Sequence, residues 1–176
     1  AEDGIRDDLV TGVQTCALPI FIRQAFGGDT VLVDYPSQME ALQQIASDEK
    51  LKTLFICDLG LSKKNQDEFV EILGDLRKRK VSITYIDHHD IDSKILKQLE
   101  KIGVKMIHNI NECTTVLAYD KFKSKLSEHA AFVAACAAIT DYMEDRPLGS
   151  KLLQIFDRQF ALIDRKSTRL NSSHQI

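Results

Sequence analysis

Short apolar runs alternate with amphipathic stretches along residues 21–163 of the chain. Four of these runs predict strands, over residues 30–35, 54–57, 81–86 and 104–107. Between and after them, apolar residues recur every three or four positions, which is typical of amphipathic helices. The predicted helices cover residues 21–26, 38–46, 67–80, 93–101, 114–125, 128–142 and 149–163.

The order of these elements predicts the class of fold. Strands that alternate with helices at this spacing form βαβ units, whose strands lie parallel in one sheet. The strand runs lack the polar alternation of a half-exposed sheet, so helices are expected on both faces. We therefore predict a doubly wound parallel α/β sheet flanked by helices, followed by a mostly helical C-terminal part. Ser37 is a predicted N-cap of the helix that follows it.

Composition and charge narrow the class of protein. The chain has 176 residues, 23 Lys and Arg, 26 Asp and Glu, and a formal net charge of −3. This length suits one domain, and the near-neutral charge excludes a strongly basic nucleic-acid coat. No apolar run approaches the roughly 18 residues of a transmembrane helix, so we expect no membrane partner. Four cysteines without a CxxC pair predict reduced thiols and a cytoplasmic protein. Cys57, Cys113 and Cys136 are expected to be small buried residues.

The two ends of the chain differ in character from the middle. Residues 1–20, with VTGVQTCALPI, and residues 164–176, with DRKSTRLNSSH, resemble in-frame translations of a short-read sequencing adapter and its reverse complement. The alternative is a natural polar tail at each end. On the adapter interpretation both segments are non-native, and residues 21–163 are a partial domain cut at both sides. The residues that then have no functional role are Asp3, Asp7, Asp8, Cys16 and His174.

Acidic and imidazole side chains follow two neighbouring strand runs. Asp58 follows the run FIC, and Asp87, His88 and His89 follow the run YI. Ligands collect at the carboxyl ends of strands in an open α/β sheet, and one crossover separates the two clusters, so we expect these side chains to meet. Asp141 follows an alanine-rich helix, which is expected to pack close to the sheet and to aim this carboxylate at the same edge.

Carboxylates and imidazoles together suit Mn²⁺ or Mg²⁺, and no thiolate set for structural zinc is evident. Two such ions can clamp a phosphoryl group and lower the pKa of a bridging water, and Asp58 could bridge them. A neutral histidine can bind a metal through one ring nitrogen, while its neighbour meets the phosphate or donates a proton. Simpler interpretations stay open. Asp58 could be a turn or cap residue, the histidine pair a solvated turn, and Glu144 or Asp145 could take the place of Asp141.

Taken together, Asp58, the Asp87-His88-His89 sequence and the later helical Asp141 resemble the DHH family of phosphoesterases over most of residues 21–163. The resemblance implies a Mn²⁺-dependent enzyme with two ions, which Asp58 bridges and which His88 and Asp141 also bind. It implies that His89 contacts the scissile phosphate and acts in catalysis, with Asp87 supporting the histidines or a metal. A RecJ-like exonuclease or an oligoribonuclease-like enzyme fits best, and a pyrophosphatase or a cyclic-dinucleotide phosphodiesterase stays open. The implied substrate is a nucleic acid or a nucleotide.

Two parts of the family pattern are absent from this sequence. The aspartate-rich first motif should precede residues 21–26, where the adapter-like segment stands, and no C-terminal substrate-binding domain follows. We therefore expect this chain to hydrolyse phosphoesters weakly or not at all. The alternative function is that of a non-catalytic α/β binding or scaffold domain. A genuine upstream segment without aspartates would favour that alternative.

Three further features have both a functional and a simpler interpretation. Thr114 or Thr115 could contact phosphate at a helix N-terminus, although capping of that helix explains them equally well. The basic run RKRK over residues 77–80 could guide a nucleic acid, but positive charge at a helix C-terminus also complements the helix dipole. His108 follows the fourth strand run and is expected to have a surface or hydrogen-bonding role.

Overall fold

The computed structural model describes residues 6–12 and 17–156. Within these residues the chain forms the strands β1 (Arg6–Gly12), β2 (Asp29–Val33), β3 (Leu51–Cys57), β4 (Ser82–Asp87) and β5 (Lys105–His108). The α-helices there are α1 (Ala17–Phe26), α2 (Gln38–Ala46), α3 (Gln66–Lys78), α4 (Ser93–Lys101), α5 (Thr114–Phe122), α6 (Ala130–Thr140) and α7 (Pro147–Leu153). A short 3-10 helix over Lys123–Lys125 follows α5.

The five strands are all parallel and are hydrogen-bonded in the order β2-β1-β3-β4-β5. This confirms the predicted parallel α/β class. The strand count differs from the prediction, because β1 lies in the adapter-like segment that was set aside. Its backbone pairs with β2 on one side and with β3 on the other, so it occupies the interior of the sheet. The origin of residues 1–20 stays a prediction.

Helices cover both faces of the sheet, as predicted. On one face, α2, α3 and α4 pack on residues such as Leu54, Ile56 and Tyr85. On the other face, α1, α5, α6 and α7 enclose Phe55 and Cys57. The right-handed crossover rule explains this division. The connection from β1 to β2 runs one way across the sheet, and the connections between β2 and β5 run the other way.

The last helices are shorter than the hydrophobic pattern predicts. Helix α6 ends before Asp141, and Tyr142 then takes the left-handed conformation with a φ of 59°. Helix α7 begins with Pro147 and ends at Leu153. Proline suits that first position because a backbone N–H there would have no partner within the helix. Residues 157–163 and the adapter-like residues 164–176 lie outside the described residues.

Helix α6 makes its main contacts with α5, α7 and α1, and the predicted close packing on the sheet is replaced by packing between helices. Its small side chains allow this close approach, and Ala134, Ala135 and Ala138 are fully buried. The buried carboxylate of Glu112 links α7 to the start of α5. Its two oxygens accept the backbone N–H groups of Leu148 at 2.7 Å and Gly149 at 3.3 Å.

The strand order places a crevice at the carboxyl edge of the sheet. The connections that leave β1 and β3 pass over opposite faces, so the helices after them diverge at the ends of these two neighbouring strands. Asp58 directly follows β3, and Asp87 is the last residue of the adjacent strand β4. The acidic and imidazole residues therefore begin at the position where open α/β sheets bind ligands.

Candidate metal centre

Asp58 begins the loop after β3 and is buried. Its backbone has a φ of 55°, in the left-handed region that aspartate tolerates better than most residues. Its N–H donates to the carbonyl of Ile86 at 2.9 Å, which extends the β3–β4 ladder by one bond. The backbone that carries this carboxylate is therefore fixed at the edge of the sheet.

Two side chains contact the same carboxylate oxygen of Asp58. The Thr114 hydroxyl, at the start of α5, donates to Oδ1 at 2.9 Å, and Nε2 of His88 lies 3.4 Å from that oxygen. Thr114 is completely buried. The hydroxyl that was predicted to contact phosphate thus has its partner inside the site, where it orients the carboxylate.

Asp87 is completely buried at the end of β4 and holds His89 in place. Its Oδ1 lies 2.8 Å from Nδ1 of His89. Its Oδ2 accepts hydrogen bonds from the His89 backbone N–H at 3.3 Å and from the Tyr85 hydroxyl at 3.2 Å. A carboxylate that accepts from Nδ1–H fixes the imidazole tautomer and leaves the Nε2 lone pair for a ligand.

The hydrogen bond that His89 donates to Asp87 raises the pKa of His89, while burial of the ring acts in the opposite direction. The charges of Asp87, Asp58 and Asp141 raise this pKa further. The site therefore attracts positive charge to the His89 ring. A metal cation at Nε2 would take the place of a proton there.

The two ring nitrogens of the second histidine, His88, face different partners. Its Nε2 faces Asp58, and its Nδ1 lies 3.4 Å from the sulfur of Met143. A thioether has no proton to donate, so Nδ1 would carry the ring proton whenever Nε2 serves as a metal ligand. The rings of His88 and His89 stand edge to face with their centroids 4.9 Å apart.

Asp58, His88 and His89 offer one carboxylate oxygen and two ring nitrogens that all lie within 4.8 Å of one another. Two neighbouring ligand atoms that bind one ion at about 2.1 Å lie about 3.0 Å apart in octahedral coordination and about 3.4 Å apart in tetrahedral coordination. The separation of Asp58 Oδ1 and His88 Nε2 is 3.4 Å. Oxygen and imidazole donors are also a ligand set that divalent cations accept. These residues therefore form an Asp–His–His group that could hold a metal ion.

Asp141 lies within electrostatic reach of this group, and its predicted role as a ligand alongside Asp58 and His88 stays a prediction. Burial raises the pKa of Asp141, and the charge of Asp58 adds to the increase. A hydrogen bond from the Cys113 thiol and the charges of the two histidines lower it. The three predicted stretches of chain thus meet at one edge. His89 is the third member of the group that could hold an ion, and its predicted contact with phosphate stays a prediction.

The cysteines near the group are buried free thiols, as predicted, and Cys136 is buried as well. Burial raises the pKa of the Cys57 and Cys113 thiols, and the carboxylates of the site raise it further. Both thiols therefore stay protonated at neutral pH. They are neither thiolate ligands nor nucleophiles in this environment.

Sequence reasoning missed two residues at this site, Tyr35 and Gly60. The hydroxyl of Tyr35 lies 3.3 Å from Nε2 of His89. A Cβ atom on Gly60 would lie 2.9 Å from both the His89 ring and the Tyr35 hydroxyl. The available signals were a tyrosine before a proline and a glycine two positions after Asp58. Both are common in turns, so neither pattern indicates a functional site.

The remaining candidates have structural partners. Nε2 of His108 lies 2.7 Å from the carbonyl of His89, which supports the loop after β4. Arg77 and Arg79 of the basic run donate to backbone carbonyls of neighbouring elements. Ser37 stands at the N-cap position of α2, but its hydroxyl bonds to Asp34 and makes no capping bond.

Comparisons with known proteins complete this description. None of the helices within the described ranges has the length and apolar character that crossing a bilayer requires. No family model, no curated protein and no solved structure matches this chain.

Proposed function

We propose that the protein is a phosphoesterase that depends on Mn²⁺ or Mg²⁺ and hydrolyses phosphodiester or phosphomonoester bonds of nucleic acids or nucleotides. Asp58, His88 and His89 would hold the ion. The observation that supports this proposal is the meeting of one carboxylate oxygen and two imidazole nitrogens within 4.8 Å, at the carboxyl edge of the sheet. The edge adjoins the crevice between β1 and β3, where a substrate has access.

The residues behind the ligand group have the roles that a metal centre requires. Asp87 accepts from Nδ1 of His89 and so presents Nε2 as a ligand atom. Thr114 donates to the Asp58 oxygen that faces His88, which fixes the carboxylate before any ion binds. A divalent ion bound there would neutralise charge on a phosphoryl group and lower the pKa of a water, as phosphoester hydrolysis requires.

Asp141 is the residue that we assign to a second ion. Its carboxylate lies within electrostatic reach of Asp58 and of both histidines. The resemblance to DHH phosphoesterases implies the same role, with Asp58 shared between the two ions. The three-residue group accounts for one ion, and the second would have only Asp141 and the shared Asp58, so it would bind weakly. We therefore expect slow hydrolysis at low metal concentration.

A calorimetric titration with Mn²⁺ tests the metal site. The unmutated protein should bind the ion, and His88→Ala should weaken binding by at least about 100-fold, because loss of a ligand costs more than loss of a supporting partner. His129→Ala is the matched control, since the His129 side chain is 84% exposed at the start of α6. It should leave the affinity unchanged.

The same three proteins, assayed with bis(4-nitrophenyl) phosphate, test the activity. Release of nitrophenol should require Mn²⁺ or Mg²⁺ and should be lost in His88→Ala but not in His129→Ala. Absence of Mn²⁺ binding at millimolar concentration would contradict the proposal. Metal binding without any hydrolysis would show that this chain is inactive, as its missing first motif predicts, and would confine the proposal to the metal site.

A further inference from the structure

Tyr35 is carried on a fixed turn at the carboxyl end of β2. The Asp34 side chain accepts the Ser37 backbone N–H at 3.1 Å and also bonds to the Ser37 hydroxyl. Pro36 restricts the backbone between them. Because β1 lies between β2 and β3, the Tyr35 side chain reaches past the end of β1 to place its hydroxyl 3.3 Å from Nε2 of His89.

The glycine at position 60 makes this contact possible. A Cβ atom there would lie 2.9 Å from Cδ2 of His89 and 2.9 Å from the Tyr35 hydroxyl, a separation that side chains essentially never show. The loop after β3 thus leaves room for both side chains at one point. This space adjoins the proposed metal ligands, because His89 is one of them.

The Tyr35 hydroxyl and a metal ion need the same lone pair. Asp87 binds Nδ1 of His89, so the proton of the neutral ring resides there and Nε2 has one lone pair to offer. When the ring is neutral in this way, the Tyr35 hydroxyl, whose oxygen lies 3.3 Å from Nε2, is placed to donate to that lone pair. An ion that coordinates Nε2 takes it, and the hydroxyl then has a proton to donate and no acceptor.

Tyr35 can donate to a new acceptor when Nε2 of His89 is no longer available. Its side chain is on the solvent side of the site, with 57% of the residue exposed. A phenolic hydroxyl carries its proton at neutral pH and so is a hydrogen-bond donor. A phosphoester substrate would place an anionic phosphoryl oxygen at this position, and such an oxygen accepts a strong hydrogen bond.

We propose that the Tyr35 hydroxyl is an anion-binding group of this site. With an ion held by Asp58, His88 and His89, the Tyr35 hydroxyl would lose Nε2 of His89 as its acceptor and would donate its hydrogen bond to a non-bridging oxygen of the phosphoester. The inference rests on the proposed function. It adds a residue from β2 to a site that is otherwise built from β3, β4 and the helices after them.

The substitution Tyr35→Phe separates the two roles, with Mn²⁺ and inorganic phosphate as probes. Mn²⁺ should bind to the variant as tightly as to the unmutated protein, or up to about tenfold more tightly, because a competing hydrogen bond is removed. Phosphate should bind to the Mn²⁺-loaded variant at least about tenfold more weakly, because a bond to a charged acceptor is lost. Tyr119→Phe, which removes a hydroxyl from the middle of α5, should change neither affinity.

The outcomes distinguish the inference from the proposed function. Unchanged phosphate affinity in Tyr35→Phe would overturn the role of Tyr35 while leaving the metal site in place. Weaker Mn²⁺ binding in this variant would also overturn it, since the hydroxyl would then support the ligand instead of competing with the ion. If the unmutated protein binds no Mn²⁺, both the proposed function and this inference are wrong.

Discussion

The two threonines at the start of α5 differ in one respect, and that difference yields a direct test of the site. Thr114 and Thr115 are both completely buried. The Thr114 hydroxyl donates to the Asp58 carboxylate at 2.9 Å, whereas the Thr115 hydroxyl has no partner among the described residues. Replacement of each by valine, which has nearly the same shape, removes only the hydroxyl. The pair therefore measures the hydrogen bond to Asp58 against an internal control.

The magnitudes follow from the burial of these groups. A hydrogen bond to a charged group contributes about 1.5–3 kcal/mol, and its loss leaves a buried carboxylate with one donor fewer. The added methyl group returns part of this, so Thr114→Val should lower the free energy of unfolding by about 1–2 kcal/mol. Thr115→Val removes a buried hydroxyl that has no partner among the described residues. It should leave the stability unchanged or raise it by about 1 kcal/mol.

Urea unfolding of the metal-free proteins, followed by circular dichroism, measures these differences. Mn²⁺ titrations of the same variants should show weaker binding by about tenfold or more for Thr114→Val, because a supporting partner of a ligand is lost. Thr115→Val should bind Mn²⁺ like the unmutated protein. Equal destabilisation by the two variants, or a larger effect of Thr115→Val, would refute the assigned role of the Thr114 hydroxyl.

Two further pairs of variants test the packing around the site. Gly60→Ala should weaken Mn²⁺ binding by about tenfold or more in calorimetry, since its Cβ would displace the His89 ring, and an unchanged affinity would contradict this. Gly74→Ala, whose Cβ meets nothing within 4 Å inside α3, should leave binding unchanged and stabilise the protein by about 0.5–1 kcal/mol. Glu112→Gln should lower the free energy of unfolding by about 1–3 kcal/mol, because one of the two acceptors that cap α7 is lost. Glu128→Gln at an exposed position should have no measurable effect in the same urea titration, and equal effects would rule out the capping role.

The ligand group was accessible from sequence because two local rules combine. Apolar runs located the ends of β3 and β4, and parallel pairing brings adjacent strand ends together. Asp58 and the histidines after Asp87 were therefore expected to meet, and the structure brings them together. The position of Asp141 relative to this group was not accessible. It depends on how α6 packs against α5 and α7, and small side chains permit several such arrangements.

The contribution of β2 to the site was also hidden from sequence. Tyr35, in the turn after β2, reaches His89 across the end of β1, and β1 falls in the segment that was excluded for its resemblance to an adapter. Without β1, the strand before Tyr35 has no defined neighbour. A tyrosine in a turn then carries no indication of which side chain it contacts.

Strand β1 pairs with β2 on one side and with β3 on the other, so the two parts of the carboxyl edge can open separately. In the described part of the chain, β2 is joined to the rest of the sheet through β1 alone, whereas β3, β4 and β5 pair with one another directly. A transient opening of β1 would release the turn with Tyr35 while the strands that carry Asp58, His88 and His89 remain paired. Amide hydrogen exchange should thus be faster in β2 than in β3 and β4. Such a partial opening would remove the proposed anion-binding hydroxyl of Tyr35 and leave the proposed metal ligands in place.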